Sequence, residues 1–143
     1  MLKGISPVVD GALLAVLDHM GHGDEIVLAD AHFPSFSSNA TVLRVAAVGV
    51  PALLDGILPL LAIDTYVDDP LVMVEPVTGD VMEPTLLADC RAAIARHAPS
   101  APPIVFMERF AFYDRARRAF AVVATGETRK YGNILLKKGV TPV

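Results

Sequence analysis

Tryptophan is missing from the 143 residues, cysteine occurs once, and no apolar stretch runs unbroken for long. Each shortage excludes something. Absence of tryptophan weakens the case for a stacking platform that would grip nucleic acid or polysaccharide. The lone Cys90 rules out an intramolecular disulfide and suits a reducing cytosol. A membrane span needs roughly 18 or more consecutive apolar residues, and the longest candidate, 45–63, is broken by Pro51, Asp55 and Pro59. Positive charge is also short: 12 Lys+Arg against 16 Asp+Glu leave a net charge of −4, and only Arg115, Arg117 and Arg118 cluster. No nucleic-acid partner is expected without a basic stripe. The opening MLKGISPVVDG has one lysine and no long apolar run, so a signal peptide is not expected. GHGDE and TGETRKYGN hold glycines at spacings that do not cradle phosphate. Ser35, Ser37 and Ser38 lack the G-x-S-x-G elbow of serine hydrolases.

What the chain has in excess is apolar residues, 53% of the total, with a mean hydropathy of +0.50. Its length suits one domain, residues 1–143, able to bury roughly two-thirds of its unfolded surface. The apolar surplus then points to a homo-oligomer, because obligate interfaces resemble a core cut in half.

Periodicity alternates between helix and strand. Residues 10–20 place Leu13, Val16, Leu17 and Met20 at helical spacing, and Gly21 stops that helix. IVLA, 26–29, reads as a short buried strand, and 41–47 as a second. Pro51 opens a helix reaching 58. Strands follow at 71–75, 104–107, 120–125 and 133–137, with helices at 84–97 and 110–119. In the 84–97 helix, Leu86, Leu87, Cys90, Ala93 and Ile94 face inward. The pattern predicts an α/β fold: a three-layer α/β/α sandwich around a mostly parallel central sheet.

Ligand sites in such sheets lie beyond the carboxyl ends of the strands, where DAHFPSFSS, 30–38, follows the first strand as a polar loop. Just upstream, MGHGDEIVLADAHFP gathers His22, Asp24, Glu25, Asp30 and His32. His22, in a glycine-flanked turn, has the right ordinary pKa for acid/base work; the plainer reading is an exposed loop histidine. Asp30, directly after the strand, is placed to bind a hydroxyl or orient an imidazole, or else to cap a turn. Asp24 and Glu25 are expected to shape the turn, His32 to sit at the rim, and His19 to favour its helix C-terminus. A metal site is not expected, since H-x-D lacks the extra histidine of an H-x-H-x-D pattern.

Two later segments add polar groups. In ERFAFYDRA, Arg109 leads an aromatic helix and can donate several hydrogen bonds to vicinal hydroxyls; Phe110 and Phe112 belong to core or interface. Tyr131, Gly132 and Asn133 precede the last strand and offer a hydroxyl, an open backbone and a donor–acceptor amide. That mixture suits a polyol better than an anion.

MGHGDEI, LADAHFP, ERFAFYDRA and YGNILLKKGVTP, in this order, resemble the L-fucose mutarotase and D-ribose pyranase family over essentially the whole chain. DAHFP, YGN and the arginine–aromatic segment resemble the fucose branch. The resemblance implies a cytoplasmic isomerase that interconverts sugar anomers by acid/base-assisted ring opening, without cofactor. It implies His22 as the proton-transferring residue and Asp30, Arg109, Tyr131, Gly132 and Asn133 as the monosaccharide-binding residues. It further implies ring-shaped homo-oligomers, commonly decamers, with sites near subunit contacts. The alternatives are a ribose pyranase and a non-catalytic sugar-binding accessory of a transport system.

Overall fold

The computed structural model describes residues 2–142. Strands and helices alternate in the order α1 (Gly11–His19), β1 (Glu25–Ala29), α2 (Ser35–Ser38), β2 (Val42–Val45), α3 (Val50–Ile57), β3 (Leu71–Val74), α4 (Pro84–His97), β4 (Val105–Met107), α5 (Arg109–Arg118), β5 (Ala121–Thr125) and β6 (Ile134–Lys137). The strands form one sheet in the order β2-β5-β1-β6-β3-β4. β5 runs parallel to β1 and β2, β3 parallel to β4, and β6 antiparallel to both β1 and β3. Only β6 opposes the common direction, so the sheet is mostly parallel, as its pattern predicts.

Strand side chains alternate between faces, and here both faces are apolar. Ile26, Leu28, Met73, Val123, Ile134 and Leu136 share a core with Leu13 and Leu17 of α1, Leu53 and Leu54 of α3, and Leu86 and Cys90 of α4. Val27, Ala29, Val72, Val74 and Leu135 pack on the other side against Phe112 and Ala116 of α5 and against Phe33. Neither face can be left to water, which is why helices cover both. Three layers result.

The helix starts are set by side chains. Asp10 accepts the Leu13 amide at 2.8 Å to begin α1. Glu108 accepts the Phe110 and Ala111 amides at 2.9 and 3.1 Å to begin α5. Those two donors hold the Glu108 carboxyl below its ordinary range.

Most boundaries fall within a residue of the pattern, and two larger departures stand out. The expected loop at 30–38 contains the single turn α2, held by Ser37 and Ser38 hydroxyls donating to Pro34 O; one turn is too short to register as periodicity. β2 ends at Val45 rather than 47, because the chain then bends across Gly126, whose amide donates to Val48 O at 2.8 Å.

Candidate functional site

At the carboxyl end of β1, the antiparallel register pairing Leu28 with Ile134 brings Asp30 opposite Gly132. The two segments clasp. Asp30 N–H donates to Asn133 Oδ1 at 2.8 Å, and Asn133 Nδ2 donates back to Asp30 Oδ2 at 3.0 Å. Gly132 N–H adds a donor to Oδ2 at 3.1 Å, and His32 N–H one to Oδ1 at 2.9 Å. Asp30 and Asn133 are buried. Burial pushes the Asp30 carboxyl above its ordinary value, against the opposing pull of His32 and the amides of Gly132 and Phe33. Gly132 is required here: a Cβ would lie 2.8 Å from Glu127 Cγ and 3.1 Å from Arg129 O.

The clasp floors a cavity of about 300 Å³ whose polar lining includes Asp30, His32, Arg109, Lys130 and Asn133. Its aromatic walls are Phe33, Tyr113 and Tyr131. The volume lies at the small end for ligand pockets. Phe33 meets Tyr113 edge-on with ring centroids 5.1 Å apart, so that wall is fixed by packing. The Arg109 guanidinium lies over the Phe110 ring, 4.6 Å from its centroid. Phe110 itself is exposed, whereas Phe112 is buried in the core. Tyr131 adopts φ +65°, the one positive value among described non-glycine residues. Such strain gathers at functional sites. The chemistry on offer is several hydrogen bonds around an apolar wall, which fits a small polyol.

Five of the six residues singled out in the sequence are thus brought together: Asp30, Arg109, Tyr131, Gly132 and Asn133. His22 is not among them. It lies in the turn before β1, and five strand residues at about 3.3 Å each put it roughly 16 Å from the Asp30 edge. Its Nε2 stands 3.3 Å from Oδ2 of Asp64, and its ring packs beside Tyr66 with centroids 5.6 Å apart. The His22 side chain is 49% exposed, while that of Asp64 is only 3% exposed. Asp64 Oδ1 accepts the Tyr66 amide at 2.9 Å, which fixes the carboxylate. The expectation that Asp30 orients the imidazole therefore fails within one chain; Asp64 occupies that position. Nothing in AIDTYVDD marks Asp64 in the sequence, because its partner is 42 residues upstream (64 − 22).

The neighbours of the pair take other parts. Asp24 accepts the Gly21 amide at 2.7 Å and shapes the turn as expected. Glu25 instead binds Arg115 across the sheet edge. His32 lines the pocket and its Nε2 lies 3.1 Å from Thr128 O. Cys90 faces the core, where burial pushes its thiol up to about 12. Among the described residues, no three of His, Cys, Asp and Glu converge as a metal requires, and no helix is long and apolar enough to cross a membrane.

Comparison with known proteins is consistent over the full length. A protein of Actinobacillus pleuropneumoniae serotype 5b (strain L20) named L-fucose mutarotase is 53% identical over 143 residues, covering 100% of this chain and 99% of that protein. An L-fucose mutarotase of Histophilus somni (strain 2336) is 49% identical with the same coverage. The crystal structure of the Streptococcus pneumoniae fucose mutarotase in complex with L-fucose superposes with a TM-score of 0.94 at 43% identity, covering 99% of this chain and 100% of that one. With the RbsD / FucU transport protein family model matching residues 3–141, this chain belongs to that family.

Proposed function

We propose that the chain, as one domain acting in the cytoplasm, is an L-fucose mutarotase that interconverts the α and β anomers of L-fucose. The observation that carries this reading is the Asp30–Asn133 clasp, flooring a small aromatic-walled pocket in a chain 53% identical throughout to a relative of that name. Anomer exchange opens the cyclic hemiacetal: one group protonates the ring oxygen while another takes the anomeric hydroxyl proton. Rotation about C1–C2 and reclosure complete it. The bond between C1 and the ring oxygen breaks and re-forms, protons are exchanged and no oxidation state changes overall, so the reaction calls on no cofactor. A positioned acid/base pair supplies ~10²–10⁴ in rate, roughly 3–5 kcal/mol of barrier.

Asp30, Arg109 and the 131–133 segment hold the sugar hydroxyls in this scheme, and His22 moves the proton. His22 with Asp64 behind it has the arrangement that such a shuttle needs: a buried carboxylate at Nε2 and the second ring nitrogen left for the substrate. Because His22 sits at the opposite sheet edge from the pocket, we assign it to the pocket of a second copy. Contact between the His22 edge of one copy and the pocket edge of the next joins two different surfaces, an arrangement that forms a ring when the repeated rotation closes. A ring-shaped homo-oligomer, such as a decamer, satisfies this. Exposed aromatic residues flank both halves, Tyr66 beside His22 and Phe110 beside Arg109.

Exchange NMR on L-fucose, with and without protein, tests the reading. Faster α/β exchange is expected; an exchange rate that stays at its buffer value would sink the enzyme. Binding shifts without faster exchange would make it a sugar-binding accessory, and acceleration of D-ribose pyranose–furanose exchange alone would make it a pyranase.

A further inference from the structure

Beyond β3 the chain crosses residues 75–83 before α4 begins, and this loop reaches the sugar pocket without lining it. It is organised by a tight turn. Asp80 N–H donates to Val77 O at 2.9 Å, with Gly79 at φ +86°, the turn position that favours glycine. The turn delivers the Asp80 carboxylate to the two residues that enter the pocket wall. Oδ1 accepts the Val81 amide at 2.9 Å; Oδ2 accepts Lys130 Nζ at 2.7 Å and the Tyr131 hydroxyl at 2.9 Å. Lys130 first, then Tyr131 and the Val81 amide, hold the Asp80 carboxyl down to about 2, so it is an anion at any working pH.

A phenol has one hydrogen to give and two lone pairs to offer. With its hydrogen committed to Asp80 and the Val77 amide donating to its oxygen at 3.5 Å, Tyr131 meets a sugar only as an acceptor, through its remaining lone pair. A free Tyr131 hydroxyl would rotate between donating and accepting, and the strained backbone beneath it would have one anchor fewer. We propose that Asp80 is a positioning residue of the sugar site, one that fixes the Tyr131 hydroxyl as an acceptor of a substrate hydroxyl hydrogen. The inference rests on the sugar-site reading above. It assigns Asp80 no contact with substrate, and it predicts that Asp80 acts through Tyr131 rather than by neutralising Lys130.

A double-mutant cycle separates these routes. Asp80→Ala is expected to slow L-fucose exchange about tenfold in the wild-type background and less than about twofold when Tyr131 is already Phe. Lys130→Met is expected to leave the Asp80→Ala loss in place. Additive losses in the cycle, no loss in Asp80→Ala, or a Lys130→Met variant that reproduces and absorbs the Asp80 effect would each overturn the proposal. Should Asp80→Ala fail to fold, Asp80→Asn replaces it. The Tyr131 ¹³Cζ resonance provides a readout that needs no turnover. It is expected to move between wild type and Asp80→Asn, and an unmoved resonance overturns the proposal. If the wild-type protein does not accelerate exchange, the mutarotase reading falls while this resonance still decides whether Asp80 holds Tyr131.

Discussion

Gly132 and, on the role proposed for His22, Asp64 bear on the site in two different ways. Gly132 is confined on three sides, and an added methyl would meet Glu127, Arg129 and Asp30 at 2.8, 3.1 and 3.3 Å. Gly132→Ala therefore overpacks the floor, at a cost of about 1–3 kcal/mol, and pushes Asp30 from the Gly132 amide. The expected result is a thermal midpoint lower by several degrees and L-fucose affinity at least about tenfold weaker, read by calorimetry and NMR titration. Asp64 acts at a distance from the pocket. Asp64→Asn keeps the size and can still accept the Tyr66 amide, but it removes the negative charge behind His22. Exchange should slow about tenfold with sugar affinity unchanged; a parallel loss of affinity would place Asp64 in folding instead. The two residues also differ in how far the sequence reveals them. Asp30, Gly132 and Asn133 are legible because a polar group at the end of an apolar strand stands out. Asp64 lies in an irregular stretch, and the part proposed for it comes from a contact with His22 that no local pattern encodes. His22 and Asp30, eight positions apart, look like one cluster until the strand between them is extended.

At the scale of elements, the alternation of apolar runs reveals nearly every helix and strand, because a strand buried on both faces has to be apolar at every position. It does not reveal how the ends are tied. Arg115 of α5 reaches the start of β1, where its Nε and Nη2 bind Glu25 at 3.0 and 2.7 Å, while Nη1 binds Asp69 before β3 at 2.7 Å. Lys137 of β6 adds a second cation to Glu25 at 3.2 Å. In the sequence Arg115, Arg117 and Arg118 stand out only as a cluster; the structure leaves Arg115 mostly buried, with 12% of its side chain exposed. Arg115→Met should cost about 2 kcal/mol, below the 3–5 kcal/mol typical of breaking a buried pair because Lys137 still faces Glu25. A lower urea midpoint at unchanged slope checks it.

The turn between β5 and β6 gives a pH test of the same kind. Arg129 binds Glu127 through Nε and Nη2, both at 2.8 Å, and holds that buried carboxyl below its ordinary value of 4.5. A depressed folded-state pKa contributes stability above the unfolded value and loses it as pH falls through the folded one. Glu127→Gln should therefore be less stable than wild type at pH 7, with the gap closing below about pH 4.5. A gap that is constant with pH, followed by denaturation at pH 3 to 7, would remove the ion pair from the account.

The whole molecule bears on the proposal that His22 and the pocket, at opposite ends of the strands, form one site between two copies. If each site takes His22 from one copy and Asp30 from the next, two inactive variants complement each other. His22→Ala retains a sound pocket but presents no imidazole; Asp30→Ala has the imidazole but leaves the Gly132 amide and Asn133 Nδ2 without their carboxylate partner. Each alone should lose about a hundredfold or more in exchange rate. When the two are unfolded together and reassembled in equal amounts, half the contacts receive a sound His22 and, independently, half a sound Asp30. About a quarter of the sites then regain both, and exchange should recover to roughly a quarter of wild type. Mixing the assembled variants without subunit exchange should recover nothing, which separates shared sites from residual activity. Failure to recover after reassembly, with oligomers verified by light scattering, would confine His22 and Asp30 to the same subunit and dismiss the shared site. The same proposed contact would also give the apolar surplus of the chain a place to go, since Tyr66 and Phe110, both exposed in the single chain, flank the two half-sites that it joins.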